Sequence, residues 1–297
     1  EFQPSEVAKI GVVLFFAARL CKREQYKKKP SKNRYSKPVE LIRRFWYWSE
    51  LNELWPLVLI LAVVALLLIR EPHLSATILI FAAAAAILFA AGVKLFWFAL
   101  GGGLGAVGVW LLLVVVGYNG SRIEMWKNPW ADPGDKGYQI VQSLYAVASG
   151  GLSGLGFGMS RQKFAYLPEE QNDYIFSIVC EEMGFIGAGI IIALFALLVI
   201  RGYWLALHAR DRFGALTIVG ITTLMAVQVF LNIAVVTNLI PSTGIALPFF
   251  SYGGTALVIQ LAEMGIVLSI SRQIPAPPEP AKKPLTRAEK KALKKAK

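Results

Sequence analysis

The sequence predicts an all-α polytopic membrane protein, and three observations carry that prediction. Of 297 residues, 56% are hydrophobic and 17% charged, too little polar surface for a soluble chain of this size. The apolar residues gather in seven runs, each near the roughly 20 residues a helix needs to cross a hydrocarbon core. The basic residues, 31 against 19 acidic for a net charge of +12, are bunched between those runs. Two cysteines and two histidines exclude a disulfide scaffold and leave little for a histidine-based metal centre. A soluble enzyme is excluded as well.

The runs are about Pro4–Leu20, Leu54–Ile69, Leu74–Ala91, Leu95–Val116, Tyr174–Ile200, Phe213–Ile240 and Thr255–Ile270. Backbone groups in lipid must bond internally, so each run is a helix or a barrel strand. Barrel strands alternate apolar and polar residues, whereas these runs are continuously apolar; they are helices. The first residue is Glu1, not Met, and no signal-peptide pattern precedes the first run. The chain therefore reads as a fragment, and seven spans as a minimum.

Lys and Arg set the orientation. Ten lie in Cys21–Glu50, Arg201, Arg210 and Arg212 lie between the fifth and sixth runs, and nine lie between Arg272 and Lys297. Seven alternating spans put these regions on one side, predicted to be cytoplasmic. The other side receives Arg70–His73, a large loop over residues 117–173, and Pro241–Gly254. Val39–Trp55, with Arg43, Arg44, Phe45, Trp46, Tyr47 and Trp48, predicts an interfacial helix. Residues 1–274 thus form one transmembrane domain, followed by a basic disordered tail over 275–297. The basic blocks lie beside the membrane and suit anionic lipid, so no nucleic-acid partner is expected.

Glycines punctuate two places. Gly101-Gly102-Gly103-Leu104-Gly105 lies inside a span and has no following Lys-Ser/Thr, which suits helix packing and not a phosphate loop. Gly150–Gly158 predicts tight backbone turns.

About 55 residues outside the membrane is too long for a connector. The segment holds Trp126, Trp130, Tyr138 and Tyr145, then Arg161, Lys163, Glu169, Glu170 and Asp173. These form either an interfacial aromatic belt with solvated charges, or a site with aromatics for sugar faces, cations for phosphate and a carboxylate for chemistry. Asp173 stands where the segment meets the fifth span. It can accept a proton, coordinate a divalent cation or cap the helix. Glu6 and Lys9 share a helical face and can pair. Arg19, Glu181, Glu182 and Glu263 also enter apolar runs, where charges face a cavity or a partner. His73 is expected to be structural or solvated, and His208 carries no signal.

Four ordered motifs are recognisable. Phe2-Gln3-Pro4-Ser5-Glu6-Val7-Ala8-Lys9 resembles the FQPSE-x-AK motif of the SEDS family (shape, elongation, division and sporulation; FtsW/RodA/SpoVE). Leu167-Pro168-Glu169, followed by Asp173-Tyr174-Ile175-Phe176, resembles its LPE-x-x-x-D-[FY]-IF signature. Glu181-Glu182-Met183-Gly184 and Pro248-Phe249-Phe250-Ser251-Tyr252-Gly253-Gly254 resemble two later motifs. The family has ten transmembrane helices and FQPSE opens the fourth, so the resemblance implies a chain lacking the first three. It also implies a multi-pass protein of the bacterial cytoplasmic membrane, at the septum, with a cytoplasmic C-terminus. Glu71–Ser75 and Gln171-Asn172 depart from the forms many members carry. They look more like division or sporulation members than elongation members, and no role passes to His73.

Such proteins are peptidoglycan glycosyltransferases that polymerise lipid II, alongside a class B penicillin-binding protein and other divisome membrane proteins. An α-linked diphosphate that becomes a β-1,4 glycoside is inverted, so one carboxylate suffices as base. The resemblance assigns Asp173 that role, or the role of ligand to Mg2+ or Mn2+. Lys163, Arg161 and Lys9 are expected to face the leaving diphosphate, Glu6 to hold Lys9, and Ser251 and Tyr252 to line the cavity. Two alternatives remain open: a flippase for lipid-linked precursors, and a scaffold that positions the transpeptidase.

Overall fold

The computed structural model describes residues 3–22, 51–70, 74–110, 120–164, 167–168 and 171–274. The apolar runs are helices: α1 (Pro4–Cys21), α2 (Leu51–Arg70), α3 (Leu74–Ala90), α4 (Leu95–Trp110), α7 (Ile175–His208), α8 (Arg212–Val236) and α9 (Gly254–Ser271). Two further helices, α5 (Gly120–Lys127) and α6 (Tyr138–Ser149), lie in the large loop, joined through a 3-10 turn at Pro129–Ala131. No strand occurs among the described residues. Most of the proposed interfacial stretch, His73, Glu169, Glu170 and the tail lie outside the described residues.

By length and composition α7, α8 and α9 can each cross a bilayer, and α2, α3 and α4 contain shorter apolar helices. α1 has the length but carries Glu6, Lys9 and Arg19. Its ends follow the helix rules: Pro4 opens it, Glu6 lies in the first turn and Arg19 in the last. Its buried face, Ser5, Glu6, Lys9, Val12, Val13, Phe16, Ala17 and Leu20, recurs at three- and four-residue spacing.

α8 is the central helix. Within its membrane-length window 72% of residues are buried, against 28% in α7 and 17% in α9. It starts where the Asp211 carboxylate accepts the Gly214 N–H at 3.0 Å. At Gly220 a Cβ would fall 2.6 Å from Val13 Cγ1 and 2.7 Å from Ile87 Cδ1, so α1 and α3 close on α8 only because that side chain is missing. α8 ends at Val236, before the expected Ile240. Asn238 turns left-handed (φ 57°), and the N–H groups of Leu239 and Ile240 bond back to the Ala234 carbonyl.

α7 is one apolar run but not one regular helix. Gly184 breaks it at φ 66°, ψ −168°, a conformation essentially confined to glycine. The glycine-rich loop after α6 docks at this break. Leu155 N–H and Gly156 N–H donate to the carbonyls of Glu181 and Glu182, and Phe185 N–H and Ile186 N–H donate to those of Gly151 and Leu152, all at 2.9–3.1 Å. Phe185 is sixteen residues from Arg201, about 24 Å along a helix and less than a bilayer core. Loop and break thus satisfy each other's backbone groups.

The loop helices cap one end of the bundle. Ser143 Oγ donates to the Val236 carbonyl at 3.0 Å, Trp126 Nε1 to Asn238 at 3.1 Å, and Ser75 Oγ, at the start of α3, to Thr243. At the opposite end Arg212 Nη2 donates to the Ala91 carbonyl at 3.1 Å.

Candidate active site

Two side-chain amides of α8 organise the capped end. Gln228 and Asn232 sit one helical turn apart and are buried. Gln228 Nε2 donates to the Ala246 carbonyl at 2.9 Å. Asn232 Nδ2 donates both to the Ile245 carbonyl at 2.6 Å and to the Asp173 carbonyl at 2.8 Å. A helix interior thereby fixes the backbone of the turn before α7. The second clamp comes from the loop before α9. Ser251 Oγ donates to the Asn172 carbonyl at 2.6 Å and accepts the Leu247 N–H at 2.7 Å, and Tyr252 N–H donates to the Gln171 carbonyl at 2.7 Å. Ser251, expected to line the cavity, instead holds the segment that carries Asp173. The Tyr252 side chain is 80% exposed.

Held in this way, Asp173 lines a half-open cavity of about 240 Å³. Its walls are Arg122 and Met125 from α5, Lys136 from the following turn, Gln139 and Ile140 from α6, Tyr174, and Ser242 and Gly244 from the loop after α8. Asp173 Oδ2 approaches Gly244 so closely that a Cβ there would sit 3.2 Å away. The N-cap position of α7 is Tyr174, not Asp173, and no side chain caps that helix. Tyr174 lies in the turn just before the span. Burial and the neighbouring Asp173 push its phenol well above the usual range, Arg122 opposing, so the hydroxyl keeps its proton.

The structure distributes the other expected residues elsewhere. Lys163 Nζ pairs with Glu182 at 3.1 Å and lies over the Phe164 ring. The Arg161 N–H donates to Glu181. Glu181, 1% exposed, gathers four donors: Ser149 Oγ and Arg161 N–H on Oε1, and Ser160 Oγ and Gln162 N–H on Oε2. Lys9 pairs with Glu6 at 2.8 Å, both buried, within electrostatic reach of Glu263 on α9. Lys163, Arg161, Lys9 and Glu6 are absent from the cavity wall. Of the loop aromatics, Trp126 bonds Asn238, and Trp130 and Tyr145 stack edge to face at 5.6 Å.

Sequence reasoning overlooked Arg122, Lys136 and Asn232. The signals were present: two loop cations interleaved with the aromatics, and the amide pair Gln228/Asn232 inside an apolar run. A larger cleft of about 420 Å³ opens between α7, α8 and α9 near Arg201 and Trp204, but no carboxylate lines it. Chemically, the Asp173 cavity combines one carboxylate on an anchored backbone with two cations. It can take a proton from a hydroxyl while holding an anion.

Comparison with known proteins covers nearly the whole chain. The family model for cell cycle proteins of the FtsW/RodA/SpoVE group matches residues 1–275. Stage V sporulation protein E of Bacillus subtilis is 40% identical over 91% of this chain and 68% of its own length. A probable peptidoglycan glycosyltransferase FtsW of Geobacter sp. is 39% identical over 92% and 69%. A solved peptidoglycan synthase complex, described as coordinating polymerization and crosslinking, superposes with a TM-score of 0.66 at 28% identity, covering 92% of this chain and 70% of that one. Rod shape determining protein RodA of Thermus thermophilus gives 0.58 at 25% identity, covering 93% and 67%.

Proposed function

The chain belongs to the FtsW/RodA/SpoVE family of cell cycle proteins, and from that premise we propose that it is a peptidoglycan glycosyltransferase of division or sporulation, polymerising lipid II with Asp173 as acceptor base. The observation that carries the site assignment is the placement of Asp173: its backbone carbonyl is held by Asn232 and that of Asn172 by Ser251, and the residue lines an open cavity with two cations in its wall.

In the proposed step an acceptor sugar hydroxyl gives its proton to Asp173 while its oxygen attacks the donor anomeric carbon. The bond from that carbon to the diphosphate breaks, and the electron pair leaves on the polyprenyl diphosphate. Inversion at one centre needs one base and no covalent enzyme intermediate. The clamps fix the backbone that carries Asp173, so its position is arranged before substrate arrives. Positive charge near the diphosphate stabilises the departing oxygen. Lys163 and Lys9 are neutralised by Glu182 and Glu6, and Arg161 meets Glu181 through its backbone N–H and is absent from the cavity wall, so this reading leaves the three at most a secondary share in binding.

No cluster of three His, Cys, Asp or Glu side chains suited to a metal occurs among the described residues. In the alternative role of Asp173, as ligand in place of base, its carboxylate would hold Mg2+ or Mn2+, which would supply positive charge beside the leaving group. The capped end faces the exterior and the C-terminus the cytoplasm, in line with the basic loops, and the membrane partner is a class B penicillin-binding protein.

The broken α7 and the buried Glu6–Lys9 pair would also suit a transporter of lipid-linked precursors. One reconstitution separates the two. The full-length protein, in vesicles with its transpeptidase partner and labelled lipid II, makes glycan polymer, and Asp173→Ala at equal expression makes none. Lipid II translocation without polymer would replace the polymerase with the transporter; polymer from the Asp173→Ala variant would remove Asp173 from the chemistry.

A further inference from the structure

We propose that Arg122, Lys136 and the Tyr174 hydroxyl form a diphosphate-binding subsite in the wall of the Asp173 cavity. This inference rests on the glycosyl-transfer reading and names the groups that hold the leaving group.

Charge is the first argument. The cavity wall carries two cations against one carboxylate, an excess of positive charge that favours an anion. Of the cations expected there from sequence, Lys163 is engaged with Glu182 and Lys9 with Glu6, and Arg161 is absent from the cavity wall. Arg122 is also held in place. Its Nη1 donates to the Ser242 carbonyl at 3.3 Å, one of five N–H donors on a planar fork suited to phosphate oxygens. Lys136, exposed on the turn before α6, supplies a movable point charge.

Size is the second. At about 30 Å³ per water, 240 Å³ holds roughly eight waters. That is room for the two phosphorus centres and their oxygens, with the sugar and the polyprenyl chain leaving through the open mouth. Tyr174 is the third and independent argument. The residue is 2% exposed, it lines the cavity, and its hydroxyl finds no hydrogen-bond partner among the described residues. Buried hydroxyls are normally paired. A phosphate oxygen in the cavity would accept that proton.

The test uses the full-length protein with its transpeptidase partner in phosphatidylcholine nanodiscs. Arg122→Gln and Lys136→Gln should each raise the KM for lipid II about tenfold, the price of one lost charge-assisted contact, with a smaller change in kcat. Inorganic pyrophosphate should inhibit the wild type competitively, and the double variant should lose that inhibition. Arg122→Lys should restore part of it, and Tyr174→Phe should weaken it. Unchanged KM and unchanged pyrophosphate inhibition in Lys136→Gln, whose exposed side chain leaves folding intact, would overturn the subsite. So would phosphatidylglycerol competing as well as pyrophosphate, which would mark a phospholipid headgroup site. Asp173→Asn run in parallel keeps the two claims apart. Polymer from that variant defeats the base assignment whatever Arg122 and Lys136 do, whereas a dead Asp173→Asn beside normal cation variants defeats only the subsite.

Discussion

Replacing Gly184 by alanine should unfasten the glycine loop from α7. A Cβ at this position would stand 2.3 Å from Gly154 N and 2.6 Å from the Leu152 carbonyl oxygen. Both are backbone atoms that cannot swing away. The alanine would also have to hold φ 66°, ψ −168°, at a cost of about 1–3 kcal/mol. If the backbone relaxes to a regular helix, the four hydrogen bonds between Gly151–Gly156 and Glu181–Ile186 go, at a net of about 0.5–1.5 kcal/mol each. That relaxation costs about 2–6 kcal/mol, a large share of the whole stability of many domains, and the loop detaches locally before the bundle unfolds. Hydrogen–deuterium exchange on the full-length protein in nanodiscs reads this directly. Amides of Leu155, Gly156, Phe185 and Ile186 should lose protection by at least a hundredfold, while those of α8 stay protected. Gly189→Ala is the control, because a Cβ there meets nothing within 4 Å. Wild-type exchange over residues 151–156 in Gly184→Ala would refute the account of the break.

Two further substitutions test how the site is held. Glu181→Gln puts an NH2 group where a carboxylate oxygen accepts two donors; it should cost about 1–3 kcal/mol, seen as a lowered thermal midpoint and as faster proteolysis at Ser160–Phe164. Ser251→Ala removes both bonds of that hydroxyl, to the Asn172 carbonyl and from the Leu247 N–H, and should lower kcat about tenfold, equivalent to about 1.4 kcal/mol, with lipid II binding kept. An unchanged kcat would make that clamp irrelevant to chemistry.

The seven apolar runs were legible because lipid leaves the backbone one economical answer, and each is helical over its described residues, the fourth as far as Trp110. The ends were less so. α7 runs on to His208 through Arg201, and α8 stops at Val236, because a left-handed Asn238 is invisible to a hydropathy sum. The break at Gly184 was hidden for the same reason: its neighbours are as apolar as a helix, and only the docking of residues 150–156 makes the kink stable. Asp173 announced itself by position, at the rim of a span. Its companions did not, since Arg122 reaches the site through Ser242, and Asn232 through a carbonyl 59 residues away in sequence. Sequence proximity favoured Arg161 and Lys163 instead, and long-range packing ties the Lys163 ammonium to Glu182 and the Arg161 backbone N–H to Glu181.

The most direct measurement is Asp173→Asn in the full-length protein, read as lipid II binding and glycan polymerisation side by side. The side chain keeps its size, so the cavity keeps its shape and binding should stay within about threefold of wild type, while kcat falls by about 10²–10⁴ for want of a proton acceptor. Polymerisation within a factor of ten of wild type would contradict the account, because a cavity that works without that carboxylate does not use it as the base.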